Sequence, residues 1–199
     1  MAHKKKHEKM LRKRKKHNRN RLCKPLSNPK KMTERLADYE YLNPYMDTIL
    51  EEYKPEDMSL YRWAHIPFIE DDFRQQIYQE STPNSPETLY PPKLDEPKEN
   101  ILTYIDNFTF SNYLTIEDAR RLWHENLQKR LNRVVERKKE KEKQKWIQKK
   151  GQYIIKINYT KNTGLIGLQN DDVHKLTLLY DGVNFEDLID KSFTPIKIE

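Results

Sequence analysis

The firmest periodicity in the chain begins at Thr115, after which Ile116, Ala119, Trp123, Leu127, Leu131 and Val134 recur at three- and four-residue intervals. That is the spacing of one buried helical face. Thr115 with Asp118 three residues on reads as a capping-box-like start, and Gly151 stands where a C-terminal cap belongs. Helix-forming residues fill the interval, so the pattern predicts one rod over 115–150, about 50 Å long at about 1.5 Å per residue. Its first half is packed and its second half is charged, since Trp146 and Ile147 are the only apolar residues between Arg137 and Lys150. The stripe lapses after two or three heptads, which argues against a coiled coil.

After Gly151 the period shortens to two. Tyr153, Ile155, Ile157 and Tyr159 alternate with Ile154, Lys156 and Asn158, which predicts a strand. Residues 160–164 read as a turn, 165–168 and 173–180 as two further apolar strands, and Asp181-Gly182 as a hairpin dipeptide. Asn184 is a candidate cap for a last short helix through Phe185, Leu188 and Ile189. Fewer than 50 residues make a marginal core, so this small antiparallel element is expected to lean on the long helix or on a partner.

Upstream, the pattern predicts short helical pieces broken by proline. Thr33 is a candidate cap before Glu34. Asn43-Pro44 is a helix start, and Met46, Ile49, Leu50 and Tyr53 then recur at helical spacing until Pro55. A second piece takes in Met58, Tyr61 and Trp63, and Ile69, Phe73 and Ile77 fall every four residues on one face of a helix ending near Glu80. Residues 81–97 hold five of the 11 prolines and no glycine, the composition of a stiff extended spacer. An apolar patch from Ile101 to Tyr113 follows. The fold class expected from all of this is mainly α with extended segments (α+β), in five segments at 1–31, 32–80, 81–114, 115–150 and 151–199.

Charge changes the picture more than composition does. Residues 1–31 carry 14 Lys or Arg against one acid, residues 32–119 carry 6 against 19, residues 120–150 carry 13 against 4, and residues 151–199 carry 5 against 7. The net charge of +7 conceals this segregation. The first segment has no aromatic residue and repels itself, so order in it requires a polyanion. RNA is the expected partner, because Lys and Arg that neutralise phosphates release condensed counterions. The candidate RNA-binding residues are Lys4, Lys5, Lys6, Lys9, Arg12, Lys13, Arg14, Lys15, Lys16, Arg19 and Arg21 in the tail, with Arg137, Lys138, Lys141 and Lys145 on the charged half of the long helix. The run from Arg12 to Lys16 also fits a nuclear import signal.

Only 35% of the residues are hydrophobic and 35% are charged, which argues against an ordinary compact enzyme. No apolar run is long enough to span a bilayer, and no signal-like apolar segment follows Met1, so a soluble, non-secreted protein is expected. The single cysteine, Cys23, excludes an internal disulfide and a cysteine-based metal cage. No phosphate-cradling glycine loop, nucleophile elbow or paired ligand spacing occurs. His65, His124 and His174 are isolated in the sequence, and Glu70, Asp71 and Asp72 read as a solvated face or a helix start rather than a metal site. No catalytic residue, cofactor or small-molecule substrate is expected. The tyrosines of the acidic middle are candidate anchors against neighbouring proteins. The functional expectation is a structural, rRNA-binding component of a large ribonucleoprotein, foremost an accessory mitochondrial ribosomal protein in the matrix. A nucleolar assembly factor and a basic filament-associated protein of the cytoskeleton or cilium are the alternatives.

Overall fold

A computed structural model describes residues 34–79, 86–168 and 173–199. The basic segment 1–31 and the first part of the proline-rich stretch lie outside them. The described residues form one seven-stranded sheet in the order β1-β5-β6-β3-β2-β4-β7, with every neighbouring pair antiparallel. The strands are β1 (Tyr53–Lys54), β2 (Met58–Ala64), β3 (Phe110–Tyr113), β4 (Tyr153–Tyr159), β5 (Gly164–Leu168), β6 (His174–Leu179) and β7 (Ile196–Lys197). The helices are α1 (Tyr39–Leu42), α2 (Met46–Glu52), α3 (Lys98–Asp106), α4 (Ile116–Leu131) and α5 (Lys139–Lys150).

This overturns the expectation of a mainly helical chain with a small C-terminal β element. The C-terminal strands form where the alternation places them, but they pair with strands from the middle of the chain into a single sheet. The segment 58–64, read as helical, is strand β2, paired with β4 along its whole length from Met58↔Tyr159 to Ala64↔Tyr153. Ile69, Phe73 and Ile77 do not share an α-helix: two short 3-10 turns, Glu70–Phe73 and Gln76–Tyr78, replace it. Part of the apolar patch after the prolines is helix α3 and strand β3.

The sheet curls strongly. Strands β4 and β5 are separated by β2, β3 and β6, about 19 Å in a flat sheet at about 4.8 Å per strand. Yet a four-residue turn closed by Thr163 N–H on the Thr160 carbonyl (2.9 Å) joins them. The concave face is lined by Leu60, Ile155, Ile157, Ile166 and Leu179 and covered by Phe185 and Leu188. At its centre Asn112, Thr177 and Tyr159 bond to one another, with the Thr177 hydroxyl 3.1 Å from the Tyr159 oxygen. On the other face, α2, α3 and the turn after α3 bury Ile49, Ile105 and Phe108 against Leu165 and Leu178, while α4 and α5 bury Trp123, Leu127 and Trp146 against Tyr113 and Ile154.

The predicted rod is broken into two. Thr115 caps α4 as its sequence implied, its hydroxyl oxygen accepting from Asp118 N–H at 3.0 Å. The helix ends at Leu131, where the apolar stripe fades, and Val135 takes an extended conformation (φ −66°, ψ 152°). The chain folds back so that Trp146 joins Trp63 and Trp123, with ring centroids at 6.1 and 6.4 Å. Arg130 pairs with Glu142 at 2.6 Å and lies over the Trp146 ring. Burying one tryptophan stabilises a hairpin more than a straight rod with an exposed indole, because a large aromatic side chain gains about 1.5–3 kcal/mol on burial. Gly151 ends α5 at φ +73°, and a Cβ there would lie 2.1 Å from the Ala64 carbonyl oxygen, so this position requires glycine.

Candidate nucleic-acid interface

Of the predicted RNA-binding residues, Lys4, Lys5, Lys6, Lys9, Arg12, Lys13, Arg14, Lys15, Lys16, Arg19 and Arg21 lie outside the described residues. The other four are all exposed and lie close together in the chain. Arg137 and Lys138 sit on the 3-10 turn Glu136–Lys138 that opens α5, and Lys141 and Lys145 follow one and two turns along the helix. Lys138, Lys141, Lys145 and Lys149 fall at spacings of three and four, one outward face of α5. The opposite line, Glu142, Trp146 and Lys150, turns inward toward α4 and the sheet: Glu142 takes Arg130, and Trp146 is 6% exposed.

Ion pairing divides the hairpin's cations. Arg121, Arg130, Lys139 and Lys145 have carboxylate partners within the chain. Arg120, Lys129, Arg133, Arg137, Lys138, Lys141, Lys143, Lys149 and Lys150 make no ion pair among the described residues. The acids of the hairpin are largely spoken for, Glu142 by both Arg130 and Lys145, which holds its carboxyl below the usual range. An excess of unpaired positive charge therefore remains on the solvent side.

A second basic feature was not legible from spacing. Strands β2 and β3 pair only at Tyr61↔Tyr113 and then part. In the fork between them lies a cavity of about 80 Å³, lined by Arg62, Trp63, His65, Asp72, Ser111 and Lys150 among others. Arg62 is 8% exposed, and its Nη1 donates to the Ser111 carbonyl at 2.9 Å, where a ladder partner from β2 would otherwise stand. Its Nε has no hydrogen-bond partner among the described residues. Lys150 comes in from the C-terminus of α5, and burial together with Arg62, Lys149 and Arg130 pushes its ammonium down to about 8.

His65 and Asp72, read as isolated and as solvated, are a pair. Asp72 is 5% exposed and its carboxylate meets His65 Nδ1 at 2.9 Å and the backbone N–H groups of His65 and Ile69 at 3.1 and 3.0 Å. His65 Nε2 faces the Gln148 carbonyl at 3.1 Å, tying the loop after β2 to the end of α5. Asp71 and Glu70 instead face Arg74. Among the described residues no group of three or more His, Cys, Asp or Glu is arranged to hold a metal ion, and no helix is long and apolar enough to cross a membrane.

Comparison with known protein families, curated proteins and solved structures finds no match for this chain. The functional reading rests on its own residues.

Proposed function

We propose that this protein is a structural, RNA-binding component of a ribonucleoprotein that lays the outer face of the α4–α5 hairpin along an RNA backbone. The observation that carries the proposal is the set of eight exposed hairpin cations, Lys150 apart, that make no ion pair among the described residues, displayed on a folded platform. Exposed lysines on a helix contribute little to its own stability, whereas each phosphate they neutralise releases counterions. The basic segment 1–31 adds 14 further cations to the same end. The recognition is of backbone charge and shape, since lysine and arginine dominate the outward face.

The test is the salt dependence of RNA binding by the full chain and by the quadruple variant R137Q/K138Q/K141Q/K145Q. These side chains are exposed, so the fold is expected to survive. The slope of log K against log salt falls by about 0.7–0.9 for each phosphate that the variant no longer neutralises. An unchanged slope in a folded variant refutes the hairpin's role. Retention on microtubules after ribonuclease, with no RNA binding, supports a filament-associated protein instead.

A further inference from the structure

We propose that the fork between β2 and β3 is a binding site for a terminal phosphate group, gripped by the Arg62 guanidinium and the Lys150 ammonium. A guanidinium that is 8% exposed normally has a carboxylate beside it, because an unpaired buried charge is costly. Arg62 has none in ion-pair contact among the described residues: its one hydrogen bond goes to the neutral Ser111 carbonyl, its guanidinium lies over the Phe110 and Phe185 rings, its Nε is unpartnered, and Asp72 acts on it only from beyond contact distance. Lys150, half-buried on the same cavity wall, also makes no ion pair among the described residues, and Lys149 stands beside it. Three cations thus line one small cavity.

The acids at the cavity make no ion pair with them. Asp72 is taken up by His65 and two backbone N–H groups, and Asp71 lies 3.8 Å from Arg74. The Ser111 and Thr109 hydroxyls are already engaged, with His174 and with the Asp106 carbonyl respectively. What remains open is charged donors, the groups that bind phosphate best. Two fixed cations match a phosphate monoester dianion better than a single carboxylate. A cavity of about 80 Å³ has room for such a group, and the cations on its wall draw the ligand in phosphate first. The inference does not depend on the RNA reading: the phosphate belongs either to a 5′-phosphorylated RNA end or to a small phosphorylated molecule.

The experiment uses the full chain and inorganic phosphate as the probe, with sodium chloride at equal ionic strength as the control. Saturating phosphate is expected to raise Tm by roughly 5 °C over the chloride control. Lys150→Gln removes most of that shift, while Lys161→Gln in the exposed turn between β4 and β5 keeps it. Phosphorus NMR of the same samples gives an independent reading, with line broadening expected for the native chain and the Lys161 variant only. A phosphate effect equal to that of chloride, or equal responses of the two variants, overturns the proposal. A 5′-phosphorylated oligoribonucleotide binding about tenfold tighter than its 5′-hydroxyl counterpart, a gain of about 1.4 kcal/mol, assigns the phosphate to an RNA end. Equal affinities alongside a retained phosphate shift assign it to a small molecule. Loss of RNA binding with the phosphate shift intact refutes the function proposed above and leaves the site standing.

Discussion

Replacing Trp123 by alanine strikes the joint at which α4, α5 and the sheet meet. The indole is 2% exposed, packs with Trp146 at 6.4 Å, and donates its N–H to the Gly151 carbonyl at 3.0 Å. Truncating a buried tryptophan costs about 3–5 kcal/mol, and leaving the Gly151 carbonyl unsatisfied adds about 1 kcal/mol or more if no water reaches it. The expected loss for Trp123→Ala is therefore about 4–6 kcal/mol. Trp123→Phe keeps a ring and loses the hydrogen bond together with part of the packing, for about 2 kcal/mol. Urea unfolding followed by far-UV circular dichroism measures both losses. A change below about 1 kcal/mol for the alanine variant would show that this face is not buried, and the folded-back hairpin would go with it. Phenylalanine matching alanine would place the whole effect on the Gly151 hydrogen bond rather than on packing.

Gly151→Ala is expected to destabilise by about 3 kcal/mol or more, since the new methyl meets the Ala64 carbonyl at 2.1 Å and the backbone sits at φ +73°; a melting temperature within a degree of the native value refutes the assigned packing. Asp106 is pushed up to about 6 by burial, against the Tyr53 hydroxyl that donates to it at 3.3 Å. Its raised value means the folded state holds the proton more tightly, so the stability it contributes below pH 4 is lost as pH rises through 6. Asp106→Asn is therefore expected to be more stable than the native chain at pH 7, by roughly 1–2 kcal/mol after allowance for solvent screening, and equal to it below pH 4. Lys150, depressed to about 8, works in the opposite range. Its charged form penalises folding below pH 8, and the penalty lifts as pH climbs toward about 10.4, the unfolded value. Without phosphate, Lys150→Met should raise the denaturation midpoint at pH 7 and narrow its advantage by pH 10; a variant less stable than the native chain at pH 7 contradicts this.

The parts of the fold that sequence reveals are those with a single dominant pattern. Tyr153 to Tyr159 alternates apart from Ile154; Thr115 and Gly151 carry the chemistry their caps require, and Asn184 accepts from Glu186 N–H at the final 3-10 turn as its position implies. Strand β2 hid because both of its faces are covered. Leu60, Arg62 and Ala64 point one way and Tyr61 and Trp63 the other, so no polar side marks the period of two, and Arg62 disguises a buried position as an exposed one. The break between α4 and α5 hid because no glycine or proline stands there. Its one trace in the sequence is Trp146, a lone large indole in a lysine-rich run that only a turn of the chain would bury. Of the candidate interface, the exposed cations of α5 were readable from composition. The fork was not, because Arg62, His65, Asp72 and Lys150 come from three separate elements and converge only through tertiary packing.

The proposed role predicts that this protein joins a large particle and does so through RNA. Sedimentation of cell extract with and without ribonuclease, followed by detection of the full chain across the gradient, answers that. The protein is expected to move from the heavy fractions to the top after digestion, and in undigested extract to leave them as salt is raised. Co-sedimentation that survives complete digestion of the RNA would contradict the central claim.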